Sequence, residues 1–267
     1  MGVIFQSGYT LPGSDQPLAN ARIAHANTWY AGGTITASST ATDFFASAPD
    51  NSLTYERWKP TSATATWETD LGFARAVDYC AIAAHDMGTS SISLQIQYWN
   101  GSAWVGVIPA TAPADDMPVF CIFEPVTAQK WRISISGSFA PEIGVIRFGA
   151  AMQMPQAIYG GHSPLDYGRM TRSRSAYSMS GEFLGRSKQR GWLETSFDWT
   201  HLTRAWIDTY WKSFQKAAES EPFFIAWRPE DFSEVGYCQT ERVPAPTSMS
   251  VRSYHSVNVA VTARGYD

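Results

Sequence analysis

Charge is scarce in this sequence: of its 267 residues only 16% are Asp, Glu, Lys or Arg, against 44% hydrophobic and 14% aromatic. That balance is far from the charged, poorly hydrophobic composition that keeps a chain disordered. The length suffices for one large domain or two modest ones with filled cores. Cysteine is nearly absent as well. Cys80, Cys121 and Cys238 are odd in number and far apart, which excludes a disulfide framework or a zinc knuckle. Cys80 and Cys121 lie in apolar runs, where a buried free thiol is the ordinary outcome, so a reducing compartment during folding is expected. No run approaches the roughly 18 consecutive apolar residues of a membrane span. The opening MGVIFQSGYTLPGSDQ lacks the basic and apolar regions of an export signal, so neither span nor export is expected.

Catalytic signatures are missing too. The five histidines, His25, His85, His162, His201 and His255, form no HExxH or His-x-His pair. No G-x-S-x-G elbow and no phosphate-binding glycine loop occurs. The acid pairs Asp115-Asp116 and Glu230-Asp231 sit in Pro-flanked loops, where adjacent carboxylates are ordinarily solvated. His85 and Asp86 end a strand beside Gly88 and read as side chains that hydrogen-bond the following turn. No catalytic residue, metal or cofactor is therefore expected.

What charge there is falls unevenly. Residues 1–155 carry 7 basic and 12 acidic side chains, and residues 156–267 carry 13 and 12. Within 169–190 (RMTRSRSAYSMSGEFLGRSKQR) six Arg or Lys face the single Glu182. A phosphate-binding stripe is one meaning of such a patch. The patch is short and its half of the chain nearly neutral, so a solvated or inter-subunit surface is expected, without nucleic-acid sequence recognition.

Periodicity supplies the architecture. Residues 1–28 read as an arm punctuated by Gly8, Pro12, Gly13 and Pro17. Over 29–155 strands alternate with turns: ATATWETDLG, DYCAIAAHD, SISLQIQYW with Ile92, Leu94, Ile96 and Tyr98 on one face, then VFCIFEP, KWRISISG and IGVIRFGAAM. This predicts an antiparallel β-sandwich. Asn100-Gly101 suits a two-residue type I′ turn, which sets Trp99 and Trp104 near the stems of one hairpin. After a Gly/Pro-rich passage, 156–267 reads β-β-α-β-β-β. Its one helix is predicted at about 201–218, capped by Thr200, with a core-facing stripe of Leu202, Trp206, Tyr210, Phe214 and Ala217 widened by Ile207 and Trp211. A sheet with that helix laid on it hides the stripe most simply, and the fold class is mainly β.

Aromatics are the remaining functional lead. Exposed Trp and Tyr stack against the C–H faces of sugar rings, although core packing is their ordinary role in a sandwich. Trp58, in the loop-like ERWKP, and Trp99 and Trp104 of the hairpin are the candidate carbohydrate-binding residues.

Two resemblances extend this reading. Trp67 with Asp70-Leu71-Gly72, the run AIAAHDMGTSS and the hairpin YWNGSAW make residues 35–155 resemble the galactose-binding-like, discoidin-type jelly rolls. The stretches GRSKQRGWLETSFDWTHLTRAWIDTYWKSF, PFFIAWRPEDFSEVGYCQTERV and SVNVAVTARG are similar to the β-domains of distal-tail and baseplate proteins of long-tailed bacteriophages. The second resemblance implies a tail-tube-like β-domain with one packed helix that joins copies of itself into a ring of three or six. Its implied partners are tail-tube, tape-measure and hub proteins, in a virion tail tip assembled in the bacterial cytoplasm. The jelly roll would then point outward, toward host surface glycan. In that family the ring domain comes first, so here the arm at 1–28 is a candidate first ring strand and the sandwich a candidate insertion. A small domain that shares sheet edges between copies gains burial, which agrees with a ring. The leading expectation is a non-enzymatic structural protein; the alternatives are a lectin module for host adsorption and a polysaccharide-degrading tail component.

Overall fold

The computed structural model describes residues 2–9, 20–158, 161–230, 233–251 and 254–265. Pro12, Gly13 and Pro17 of the expected arm, and Asp231, lie outside them. The arm is divided between two sheets. β1 (Val3–Phe5) pairs in parallel with the strand at Val119–Gly137, whereas β2 (Arg22–Ala24) belongs to the second sheet.

The first sheet continues with β3 (Thr34–Ala37), β4 (Ala65–His85), β5 (Ile92–Trp99), β6 (Trp104–Thr111), β7 (Val119–Gly137) and β8 (Ile143–Gly149). Its order is β3-β4-β7-β5-β6, with β8 added on β4 and β1 on β7. β4 and β7 pair along most of their length, interrupted by register shifts between Asp70 and Arg75 and between Val77 and Tyr79. Gly72 lies in the first of these shifts at φ +80°, a left-handed backbone that glycine adopts without steric cost. Before Gly72, β4 alternates: Ala65, Trp67, Thr69 and Leu71 are buried and the residues between them half-buried. Beyond it, Tyr79 to His85 are all buried. The alternation marks a strand with one face toward a core, and the unbroken run marks one covered on both faces.

The two coverings are distinct. Cys80 and Ile82 join Trp67, Leu94, Ile96, Trp131 and Ile146 in the sandwich core. Tyr79, Ala81 and Ala83 face the other way, against Phe224, Ala226, Val235 and Tyr237 of the second sheet. All three cysteines are buried, and burial pushes their thiols above the usual range.

That second sheet is formed by β2, β9 (Met152–Gln153), β10 (Arg169–Tyr177), β11 (Phe183–Thr203), β12 (Phe223–Ala226), β13 (Val235–Gln239), β14 (Thr247–Val251) and β15 (Tyr254–Gly265). The order is β10-β11-β15-β13-β12-β2-β9, with β14 on β15. β2 pairs with both β12 and β9, so the segment that builds the sandwich leaves and re-enters the second sheet at adjacent strands. At the return, Thr28 and Trp29 pass so close to Gly149 that a Cβ there would collide with the Thr28 carbonyl.

The helix begins later than its periodicity predicts. β11 continues to Thr203, through pairs Leu202–Val257 and Thr203–Ser256, and Thr203 rather than Thr200 is the cap, its hydroxyl accepting from Trp206 N at 3.3 Å. The helical segment is α1 (Arg204–Trp206), a π-helical turn (Ile207–Trp211) and α2 (Lys212–Ala218). Leu202, Ile207, Trp211, Phe214 and Ala217 of the predicted stripe are buried, with Ala218 beside them, and the wide turn leaves Trp206 and Tyr210 at its margin. Trp206 is only half-buried and Tyr210 is 50% exposed. Trp211→Ala is therefore expected to cost about 3–5 kcal/mol, and Tyr210→Ala less than about 1 kcal/mol, read from denaturant midpoints at constant slope.

The basic stretch forms the outer parts of β10 and β11, a ribbon whose consecutive residues are nearly all exposed, so it is bare on both faces. Arg172 and Arg190 are direct cross-strand partners. Tyr177, Met179, Phe183 and Leu184 are exposed at its far end.

Candidate functional site

Of the three aromatic candidates, the structure brings two together. Trp58 is fully buried: its backbone exchanges 2.9 Å hydrogen bonds with Ile143, and its indole N–H donates to Ser39 O at 3.0 Å. ERWKP reads as an exposed loop, but it folds back as a bridge onto β8, and the indole closes the sandwich core instead of offering a sugar platform. Trp99 and Trp104 are half-buried cross-strand partners on β5 and β6, their rings 5.5 Å apart and edge-to-face. The connection is a four-residue loop rather than the expected two-residue turn. Asn100 Oδ1 accepts from Ser102 N and Ala103 N, both at 2.9 Å, and Asn100 N donates to Ala103 O.

A polar row adjoins this pair on the solvent face of the first sheet. Glu68, Arg132, Gln97 and Gly106 are successive partners across β4, β7, β5 and β6. Arg132 donates to Gln97 Oε1, lies 3.6 Å from Glu68 Oε1, and stacks its guanidinium 4.3 Å over Trp104. Gln97 in turn donates to Gln95 Oε1 at 2.9 Å. Farther along β4, Asp70 accepts from Gln129 at 2.7 Å and lies 3.5 Å from Lys130. The Gln129 bond, then that of Gly72 N, holds the Asp70 carboxyl below the usual carboxylate range. The result is a shallow, fixed surface of two indoles with donors and acceptors alongside, able to stack a ring and hydrogen-bond its edge.

His85 plays the part its position suggested. It is buried, accepts from Met87 N through Nδ1 at 3.3 Å, and burial pulls its imidazole down to about 4. Asp86 Oδ1 accepts from Glu142 N at 2.7 Å. Both side chains tie the strand end to neighbouring turns.

Two clefts lie where the layers meet, away from these aromatics. The larger, about 610 Å³, runs between Tyr55 and Trp192. Its indole is already flanked by the guanidinium groups of Arg190 and Arg264, 5.9 and 5.2 Å from the ring centre. The other, about 380 Å³, has Asp78, Arg22 and Tyr9 in its wall and Trp206 and Tyr210 along the helix. Sequence reasoning passed over Asp78, Arg22 and Tyr9 and assigned Trp206 and Tyr210 to the core. The available signal was Asp78 itself, a carboxylate next to an otherwise apolar run; its companion Arg22 is distant in sequence and no spacing rule links them.

No protein-family model matches the chain. No curated protein matches it. Solved structures do. Chitosan-binding module 1 of a chitosanase/glucanase from Paenibacillus sp. IK-5 is 20% identical, covering 45% of this chain and 96% of its own, with a TM-score of 0.38. The CBM32 of AlyQ, in complex with 4,5-unsaturated mannuronic acid, is 19% identical over 45% of this chain and 96% of its own, at 0.39. The family 32 module of NanJ from C. perfringens, in complex with galactose, is 18% identical over 48% and 98%, at 0.38. These neighbours are carbohydrate-binding jelly rolls. The likeness spans under half of this chain and assigns it neither a ligand nor a site.

Proposed function

We propose that this chain binds carbohydrate through the solvent face of the first sheet, around Trp99 and Trp104. The observation that carries the reading is the adjacency of two half-exposed indoles to a row of held polar groups, Glu68, Arg132 and Gln97. Indoles supply apolar area for a sugar's C–H face, and pre-positioned amide, carboxylate and guanidinium groups meet its hydroxyls without further ordering cost. The reading assigns no bond-breaking step to the chain.

A glycan array probed with the full-length chain tests it. Selective binding is expected, and Trp99→Ala should weaken it about tenfold, roughly 1.4 kcal/mol, with an unchanged melting curve. Uniform, featureless binding across the array, or selective binding indifferent to both Trp99→Ala and Trp104→Ala, contradicts it.

The basic ribbon favours a second reading, a self-assembling component of a bacteriophage tail tip. A two-stranded ribbon is marginal alone, and like charges facing each other across a ladder weaken it further. An acidic surface brought against it relieves both, and outside 169–190 the chain has 14 basic and 23 acidic residues. Further copies, in a ring of three or six, are the partners this reading requires, with tail-tube, tape-measure and hub proteins beyond them. It expects light scattering to give a trimer or hexamer that Arg172→Glu with Lys188→Glu dissociates. A monomer at every concentration and low salt would remove it.

A further inference from the structure

We propose that the cleft between Asp78, Arg22 and the helix at 204–218 is a separate binding site for a neutral pyranose ring. Its volume, about 380 Å³, falls in the range of small-molecule sites, about 300–1,000 Å³. Three parts of the fold build it: Arg22 comes from β2, Asp78 and Phe120 from the rear of the sandwich, and Trp206 and Tyr210 from the helix. It exists only because the two layers are seated on each other, and it does not rest on the reading of the Trp99–Trp104 face.

The chemistry of the wall selects the ligand. Asp78 accepts from Ala151 N at 2.9 Å, and Arg22 donates through Nη1 to Asn20 O at 3.0 Å. The Tyr9 phenol lines the same wall, where burial raises it above its usual range and the nearby Arg22 charge opposes that rise. A carboxylate has about four acceptor positions and a guanidinium five donors, so these bonds leave capacity on both groups. Their opposite charges cancel, which favours neither an anion nor a cation. Acceptor and donor capacity in one small wall suits vicinal hydroxyls, each of which donates and accepts. The opposite requirement, an apolar surface for the ring's C–H face, is met by Trp206 and Tyr210, whose rings are 5.7 Å apart, with Phe120 and Met154 behind. Burial pushes the Asp78 carboxyl up to about 6, against the opposing effects of its bond from Ala151 N and the nearby Arg22 charge.

The test is NMR titration of the full-length chain with methyl β-D-galactopyranoside, methyl α-D-glucopyranoside and methyl α-D-mannopyranoside. Saturable binding of at least one, at millimolar concentration, is expected to persist in Trp99→Ala/Trp104→Ala and to weaken about tenfold in Tyr210→Ala, as loss of an aromatic stacking partner does. Tyr210 is half exposed, so that variant keeps its fold even if Asp78→Asn does not; a folded Asp78→Asn should also lose binding. Absence of saturation with all three glycosides overturns the proposal, as does binding unaffected by Tyr210→Ala. Binding abolished by the Trp99/Trp104 pair alone does so too, while leaving the reading of that face intact.

Discussion

The second half of β4 is covered on both faces, and the rest of the molecule is arranged around that constraint. One face of Tyr79 to Ala83 completes the sandwich core; the other meets Phe224, Ala226 and Tyr237 of the second sheet. Alanines at 81 and 83 keep that second face low, which lets the large rings of β12 and β13 sit against the strand. Peeling the layers apart would expose Tyr79, Phe120, Phe224 and Tyr237 together, each worth about 1.5–3 kcal/mol of burial. That sum is comparable with the whole stability of a domain, about 5–15 kcal/mol, so the two sheets are bound to behave as one unit.

Polar groups trapped by this arrangement are held, and the way they are held shapes the clefts. Arg147, on the fully buried β8, donates to Pro49 O and Ile146 O at 3.0 Å and stacks 4.8 Å from the Trp29 ring. It thereby fastens the long β3–β4 connection over the sandwich end, the same connection that carries Trp58 inward. Asp78, half-buried, and Arg22, buried, line the cleft on the β2 side of the same junction. Charge is scarce in this chain, and much of what is buried stands at the junction between its layers.

Much of the fold is legible in the sequence because it obeys a period of two. SISLQIQYW alternates as a half-buried strand does, and DYCAIAAHD is unbroken because both of its faces are covered. Other features depend on what distant segments do. The helix register turns on a π-helical turn that apolar spacing does not encode, so Trp206 and Tyr210 read as core alongside Trp211, and only Trp211 of the three is fully buried. Trp58 lies among turn-forming neighbours, and only its pairing with Ile143 draws it inside. The hairpin pair Trp99–Trp104 could be placed near its stems from sequence because a turn at Asn100 is local, although the loop it closes has four residues rather than two. The Asp78–Arg22 wall could not, since it forms by the meeting of two sheets.

Native-state hydrogen exchange tests the fusion of the layers most directly. Amides of Tyr79, Cys80 and Ala81 in β4 and of Phe224 and Ile225 in β12 should exchange through a common opening, with one free energy and one denaturant dependence. If β12 exchanged through a smaller opening while β4 stayed protected, the two sheets would be independent units and this account would be contradicted.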